Sequence, residues 1–234
     1  MSYTREKLQE YINKNITENG VINLHDMNIT SLDGILFPEK TTMIYLFKNP
    51  IQSLPNELPP NLKVIQFIHN HIQSLANVAF PPNLVTMQFQ YNEIQSLANV
   101  AFPPKLTELQ LSHNQITSLE GVVFPPGLVS LDLSNNQITS FAGMQFPLSL
   151  FSLKLAGNPI DVRTVTELKN PSPFVIREIV AAFPETGPHF QRMEEEQRNL
   201  GEKVDQLFKM LYAFNMKKGG AKSRHKTCRK MKKM

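Results

Sequence analysis

Leu128-Val-Ser-Leu131-Asp-Leu133-Ser-Asn-Asn136-Gln-Ile138 carries the pattern that decides the fold. Leu131 and Leu133 flank Asp132 with a period of two, so both leucines face one side of a strand and Asp132 the other. Asn136 follows three residues after Leu133, and Ile138 turns the chain back toward the leucine side. The same stretch recurs. Followed by its last leucine it runs Leu24, Leu46, Phe67, Phe89, Leu111, Leu133, Leu155, in steps of 22 residues except one of 21 between Leu46 and Phe67. Self-similarity at that period marks a solenoid, in which each repeat is one coil that buries its apolar side only against its neighbours.

Between these stretches a second pattern returns: Phe80-Pro-Pro-Asn-Leu84, Phe102-Pro-Pro-Lys-Leu106, Phe124-Pro-Pro-Gly-Leu128 and Phe146-Pro-Leu-Ser-Leu150. The prolines forbid a helix there and favour an extended, polyproline-like return. Phe37, Phe80, Phe102, Phe124 and Phe146 are expected to stack as a spine, with Leu58 in the short repeat. The missing residue falls beside Leu58-Pro-Pro, on the far side of the coil, where it leaves the strand untouched. Asn49, Asn70, Asn92, Asn114, Asn136 and Asn158 occupy the turn after each strand, with Met27 in the first coil. A carboxamide there both donates to and accepts from backbone groups of adjacent coils. Each such bond is worth about 1 kcal/mol, and stranding a buried partner costs about 1–3 kcal/mol. Ile29, Ile51, Ile72, Ile94, Ile116, Ile138 and Ile160 point back into the core.

Written generally, the motif LxxLxLxxNxI resembles the signature of the leucine-rich-repeat family over about residues 21–160. The resemblance implies an α+β solenoid with a parallel concave sheet, a mostly extended convex side and helical caps at both ends. It further implies a binding module, the concave sheet being the surface such proteins offer to a partner. The Gly157-Asn-Pro-Ile160 ending is similar to the last repeat of many intracellular members. The Phe-Pro-Pro-x-Leu style is similar to repeats from large DNA viruses and protists, and the basic Gly-Gly-Lys-type tail to tails on proteins of such viruses.

An open stack needs polar-backed lids. Residues 1–20 read as an N-terminal cap, with Leu8, Tyr11 and Ile12 at helical spacing between Tyr3 and Asn15. Residues 161–188 read as a C-terminal cap, with helices over Asp161–Lys169 and Phe174–Phe183 separated by Pro171 and Pro173. Residues 189–216 carry an amphipathic helix with Val204, Leu207, Phe208 and Leu211 on one face; it packs on the cap, self-associates or binds a partner. Residues 217–234 form a basic tail that cannot bury enough apolar surface to fold alone.

That tail holds nine of the 24 Lys and Arg and no acid, which leaves 15 bases against all 20 acids in residues 1–216, a net charge of −5. The basic side chains are Lys217, Lys218, Lys222, Arg224, Lys226, Arg229, Lys230, Lys232 and Lys233. They are a solvated tail, a tether for nucleic acid or an acidic partner, or a nuclear-import tag. The one cysteine, Cys228, also lies there, so no disulfide framework forms within the chain. With no apolar leader in the first 20 residues, this points to an intracellular address, in cytoplasm or nucleus.

Outward positions on the strands supply the candidate binding face. The central column reads Asn23, Tyr45, Gln66, Gln88, Gln110, Asp132 and Lys154. Just beyond lie His25, Phe47, Ile68, Gln90, Ser112, Ser134 and Ala156, then Asp26, Lys48, His69, Tyr91, His113, Asn135 and Gly157. Tyr45, Phe47, Ile68 and Tyr91 cluster in repeats two to four, and exposed aromatics on a rigid face are typical interface anchors. The glutamines are uncharged, so this face is not built to grip phosphate. Duplication alone also copies such residues, as the near-identical stretches 72–80 and 94–102 show. Seven strands about 4.8 Å apart span roughly 30 Å, enough for the about 800 Å² per partner of a standard interface.

The expected function is therefore binding of another protein, with no cofactor, metal or catalytic residue. His69 and His113 fall two coils apart, about 10 Å by strand spacing, too far to share a metal, and His71 lies along the turn. Glu194-Glu195-Glu196 reads as a solvated helix face. No phosphate loop, nucleophile elbow or zinc spacing appears.

Overall fold

The computed structural model describes residues 4–55, 57–168 and 171–183, together with 186, 188, 191, 192 and 195. The chain divides into two units, Met1–Gly187 and Pro188–Met234, and the architecture below is that of the first. The segment 189–216, the tail 217–234 and the acidic trio lie outside the described residues, apart from 191, 192 and 195.

Seven strands of three residues follow one another in the chain: β1 Val21–Asn23, β2 Met43–Tyr45, β3 Val64–Gln66, β4 Thr86–Gln88, β5 Glu108–Gln110, β6 Ser130–Asp132 and β7 Ser152–Lys154. They form a single parallel sheet in sequence order. Register is strict: Ile22, Ile44, Ile65, Met87, Leu109, Leu131 and Leu153 pair in succession. The 21-residue repeat does not disturb it, since Tyr45 still pairs with Gln66.

Behind the sheet each coil stacks the same buried columns. The paired residues above form one, and Leu24, Leu46, Phe67, Phe89, Leu111, Leu133 and Leu155 a second. The inward isoleucines from Ile29 to Ile160 make a third. Leu32, Leu54, Leu75, Leu97, Leu119 and Phe141 make a fourth that the motif reading had not singled out. Thr41 stands where later coils have Leu62, Leu84, Leu106, Leu128 and Leu150; though fully buried, its hydroxyl donates to the Pro38 carbonyl at 2.6 Å. Among the described residues no helix interrupts the returns between β1 and β7, as their prolines require.

The phenylalanine spine is present over half its length. Phe102 stacks on Phe124 and Phe124 on Phe146, with centroids 5.8 and 6.3 Å apart. Phe37, Leu58 and Phe80 are only half-buried, and neither Phe37 nor Phe80 makes a ring contact among the described residues.

The asparagine ladder is almost complete. Asn114 Nδ2 donates to the carbonyls of Phe89 and Leu111 at 2.9 and 3.0 Å, and its Oδ1 accepts from the Ile94 amide at 3.0 Å. Asn92, Asn136 and Asn158 repeat the arrangement. Asn49 accepts from both Met27 and Ile29, so the first coil is held although it lacks an asparagine of its own. Asn70 breaks the series. Its Nδ2 donates to Leu46 and Ile68, but its buried Oδ1 has no partner. Asn70 is the asparagine that follows the 21-residue repeat. The deletion spares the strand and costs a hydrogen bond instead.

Both ends of the stack are lidded. Helix α1, Arg5–Asn15, starts at Thr4, whose hydroxyl accepts from the Lys7 amide, and lays Leu8 and Ile12 on the first coil. Gln9 ties it down further: its carboxamide donates to the Leu36 carbonyl at 2.8 Å and accepts from the Leu36 amide at 2.7 Å. Gly20, at φ +75°, links helix to sheet where a Cβ would run into the Lys40 carbonyl.

At the other end, the first expected cap helix is a 3-10 helix, Val162–Glu167, capped by Asp161. Hydrogen bonds from Arg163 hold the Asp161 carboxyl down at about 2. The second is α2, Pro173–Ala182. Pro173 does not separate the helices but opens α2, in the first turn where an amide N–H has no helical partner anyway. Phe174 stacks on Phe151 of the last coil at 5.8 Å, and Phe183 meets Phe141 edge-on at 6.2 Å. Among the described residues no helix is long and apolar enough to cross a membrane.

Candidate functional site

Each three-residue strand turns its first and last side chains outward, on either side of one buried residue. Register places Asn23, Tyr45, Gln66, Gln88, Gln110, Asp132 and Lys154 side by side, as expected. Just after each strand the chain turns through the left-handed region, at Asp26, Lys48, His69, Tyr91, His113, Asn135 and Gly157, with φ between 52° and 76°. This backbone is costly for a bulky side chain. It recurs in every coil, so the solenoid imposes it rather than any one residue.

On this edge the rings form a ladder. His25 stacks on Phe47 at 4.6 Å, and Phe47 meets His69 edge-on at 5.1 Å. His69, Tyr91 and His113 then stack nearly parallel, with centroids 4.1 and 4.2 Å apart. Asn135 Nδ2 reaches His113 Nε2 at 3.3 Å. Sequence spacing separated His69 from His113 and left the gap empty; the Tyr91 ring fills it. Tyr91 is 44% exposed, yet both its faces are covered, so it offers a partner its edge and hydroxyl. The ladder steps from one column to the next between Phe47 and His69, across the shortened repeat.

Polar groups divide the sheet face into two halves. In the C-terminal half they are paired with one another. Gln88 donates to Glu108 at 3.1 Å and Gln110 to Ser130 at 3.3 Å. Asp132, 8% exposed, accepts from the Ser134 amide and hydroxyl and meets Lys154 Nζ at 3.3 Å. Gln90 is half-buried, with its Oε1 enclosed and unpartnered.

The N-terminal half is open. Asn23, His25, Tyr45, Leu46, Phe47, Gln66 and Ile68 line a cavity of about 320 Å³. The Tyr45 hydroxyl lies 3.1 Å from Met43 Sδ, and Asn23 Oδ1 accepts from the His25 amide. The Gln66 carboxamide has no hydrogen-bond partner among the described residues. Neither a carboxylate nor a Lys or Arg lines this hollow.

His71 pairs with Glu93 at 2.6 Å on the exposed turn, away from the other imidazoles. Among the described residues no group of three or more His, Cys, Asp or Glu could hold a metal ion. The nine basic side chains from Lys217 to Lys233 and Cys228 lie outside the described residues. The sequence reading also passed over a second apolar surface, near the last two returns. There Val123, Leu148 and Phe151 are 81%, 84% and 75% exposed. Its signal was visible, since Leu148 replaces the second proline and Val123 an alanine of earlier repeats.

A leucine rich repeat family model matches residues 104–160. A comparison with curated protein sequences gives no match. Among solved structures, the chain is similar to YopM from Yersinia enterocolitica WA-314, at 29% identity and a TM-score of 0.52, over 64% of this chain and 31% of that one. It is similar to a Shigella effector LRR domain at 25% identity and TM-score 0.51, over 69% and 78%. A third likeness, 26% identical with TM-score 0.53 over 65% and 52%, is to an octameric complex of Latrophilin 3, Unc5D and FLRT2 (LRR). The chain thus spans about a third of the matched YopM chain and half of the matched chain in that complex. Its repeats, its in-register parallel sheet, the matched segment and these neighbours make the chain a leucine-rich-repeat solenoid protein.

Proposed function

We infer that the protein binds another protein through its sheet face, centred on Tyr45, Phe47, Gln66, Ile68, Gln88 and Tyr91. The observation that carries this reading is the contrast between the two halves of the face. Coils five to seven satisfy their own polar groups, whereas coils one to three offer an uncharged hollow with an unpaired carboxamide beside a rigid ladder of rings. Binding energy concentrates where large side chains sit on a prebuilt surface. The complex that contains FLRT2 (LRR) supports the same use of this fold. The role is recognition rather than catalysis, and regulating an enzyme by binding it is one form of that role. The lone cysteine supports an intracellular setting. The likeness of the Phe-Pro-Pro-x-Leu returns to viral repeats supports extending the reading to a viral protein acting inside its host cell.

Tyr45→Ala combined with Tyr91→Asn tests it, asparagine being chosen because it tolerates the left-handed turn. Affinity purification from cells should lose the specific partner by tenfold or more, as truncating two interface anchors of about 2 kcal/mol each would give. The circular dichroism melt should move by only a few degrees. Unchanged partner recovery would remove this face from consideration.

A second reading rests on the composition of residues 217–234, nine bases with no acid. On that reading the protein associates with nucleic acid, or is packaged with it in a virion, through the tail. Deleting 217–234 is expected to abolish retention on a heparin or DNA column. Retention by the full chain should fall with the logarithm of salt, with a slope of about −0.7 to −0.9 per phosphate contact. Retention that survives the deletion rules the tail out.

A further inference from the structure

We propose that the hollow of coils one to three is an anchor pocket for a single tryptophan side chain of the partner. The proposal rests on the reading of the sheet face as a protein-binding surface and adds the chemistry of what enters it.

Size comes first. At about 320 Å³ the cavity lies at the small end of ligand sites, so it takes one bulky side chain rather than a long segment. Its walls come next. His25 and Phe47 stack into a flat aromatic step, Tyr45 adds a third ring, and Ile68 contributes an aliphatic surface. Charge then narrows the choice. Without a carboxylate, Lys or Arg in the lining, a charged side chain would lose hydration with no opposite charge to replace it, and Lys48 Nζ, 5.3 Å from the Phe47 ring centroid, further disfavours a cation.

The last constraint is the Gln66 carboxamide. It has no hydrogen-bond partner among the described residues, so an occupant that donates to its oxygen is favoured over one that cannot. An indole combines a large apolar body with one N–H donor and no acceptor. Leucine or phenylalanine would fill the space and leave Gln66 unanswered. Outside the pocket the face keeps the enclosed, unpartnered Gln90 Oε1, which is not open to an occupant as Gln66 is. Gln88, Gln110 and Asp132 already have partners, and the faces of Tyr91 are taken.

The chain contains no tryptophan, so indole fluorescence reports the probe alone. N-acetyl-tryptophanamide titrated with the full-length protein should show a saturable blue shift, half-complete at about a millimolar, the range open to so small a ligand. Gln66→Leu should weaken binding about fivefold, the worth of one hydrogen bond. Ile68→Asp and Gln66→Lys, both on the exposed strand face, should each abolish it. Circular dichroism identifies which of the two is folded, and either one suffices. The proposal is overturned if no saturable shift appears, if the shift persists in a folded charged variant, or if N-acetyl-leucinamide displaces the probe as well as its own amide analogue does. Partner loss in the Tyr45/Tyr91 variant without indole binding would retire the pocket's occupant and keep the binding face. Indole binding with partner capture untouched by that variant would do the reverse.

Discussion

Asn114→Ala should lower the unfolding free energy by about 2–4 kcal/mol, and Asn70→Ala by about 1 kcal/mol less. The first removes the acceptor of the buried Ile94 amide and one of two donors to each of the Phe89 and Leu111 carbonyls, which keep Asn92 and Asn136. Stranding that one buried amide costs about 1–3 kcal/mol, and the two carbonyls lose about 0.5 kcal/mol each because a second donor remains. Asn70 spans coils three and two in the same way, but its Oδ1 accepts nothing. Removing it therefore takes the donor from the Leu46 carbonyl, leaves the Ile68 carbonyl the Lys48 amide, and strands no amide. Urea titrations of the two variants measure the difference. Equal losses would mean that the shortened repeat does not cost the ladder a bond.

That difference also marks how far the sequence could be read. Leucine alternation and the 22-residue step specify the strands and their register, because one inward column per coil admits only one pairing. The line Tyr45, Gln66, Gln88, Gln110 follows directly from the motif. Asn70 matches that motif as well as Asn114 does, and only the distances separate an answered oxygen from an orphaned one. The ring ladder was hidden for a related reason. His69, Tyr91 and His113 occupy one sequence column, but His25 and Phe47 belong to another. The link between columns exists only because the shortened coil brings Phe47 against His69. The pairing of Gln88 with Glu108 and of Asp132 with Lys154 depends on side-chain direction, which spacing does not specify. The fourth core column was legible in principle. Ser-Leu follows the inward isoleucine by two residues in most repeats, a pattern overshadowed by the stronger Phe-Pro-Pro signal.

The second large effect belongs to the C-terminal lid. Phe141 takes the place held by Leu32, Leu54, Leu75, Leu97 and Leu119 in earlier coils, and it is fully buried. It alone of that column meets the cap: its ring packs edge-on against Phe183, and its amide donates to the Thr164 hydroxyl at 2.8 Å. Phe141→Ala should cost about 3–5 kcal/mol through the lost burial and the cavity left behind. Phe141→Leu, which restores the residue of the other coils, should cost about 1–2 kcal/mol, since most of the volume is kept. The alanine variant should also become protease-sensitive across 171–183, as the lid loses its hold on the last coil. Alanine and leucine variants of equal stability would show that the aromatic ring has no special part in seating the cap.

The left-handed turn that ends each strand has a consequence for how such a surface diversifies. Asp26, Lys48, His69, Tyr91, His113, Asn135 and Gly157 share one backbone shape although their chemistry ranges from acid to base to bare hydrogen. Exchanging one of the first six for another rewrites what the edge displays without redrawing the scaffold, whereas a Cβ at Gly157 would run into the Asn135 side chain. The excluded letters are the β-branched ones, for which that shape is most strained; neither valine, isoleucine nor threonine stands at any of the seven positions.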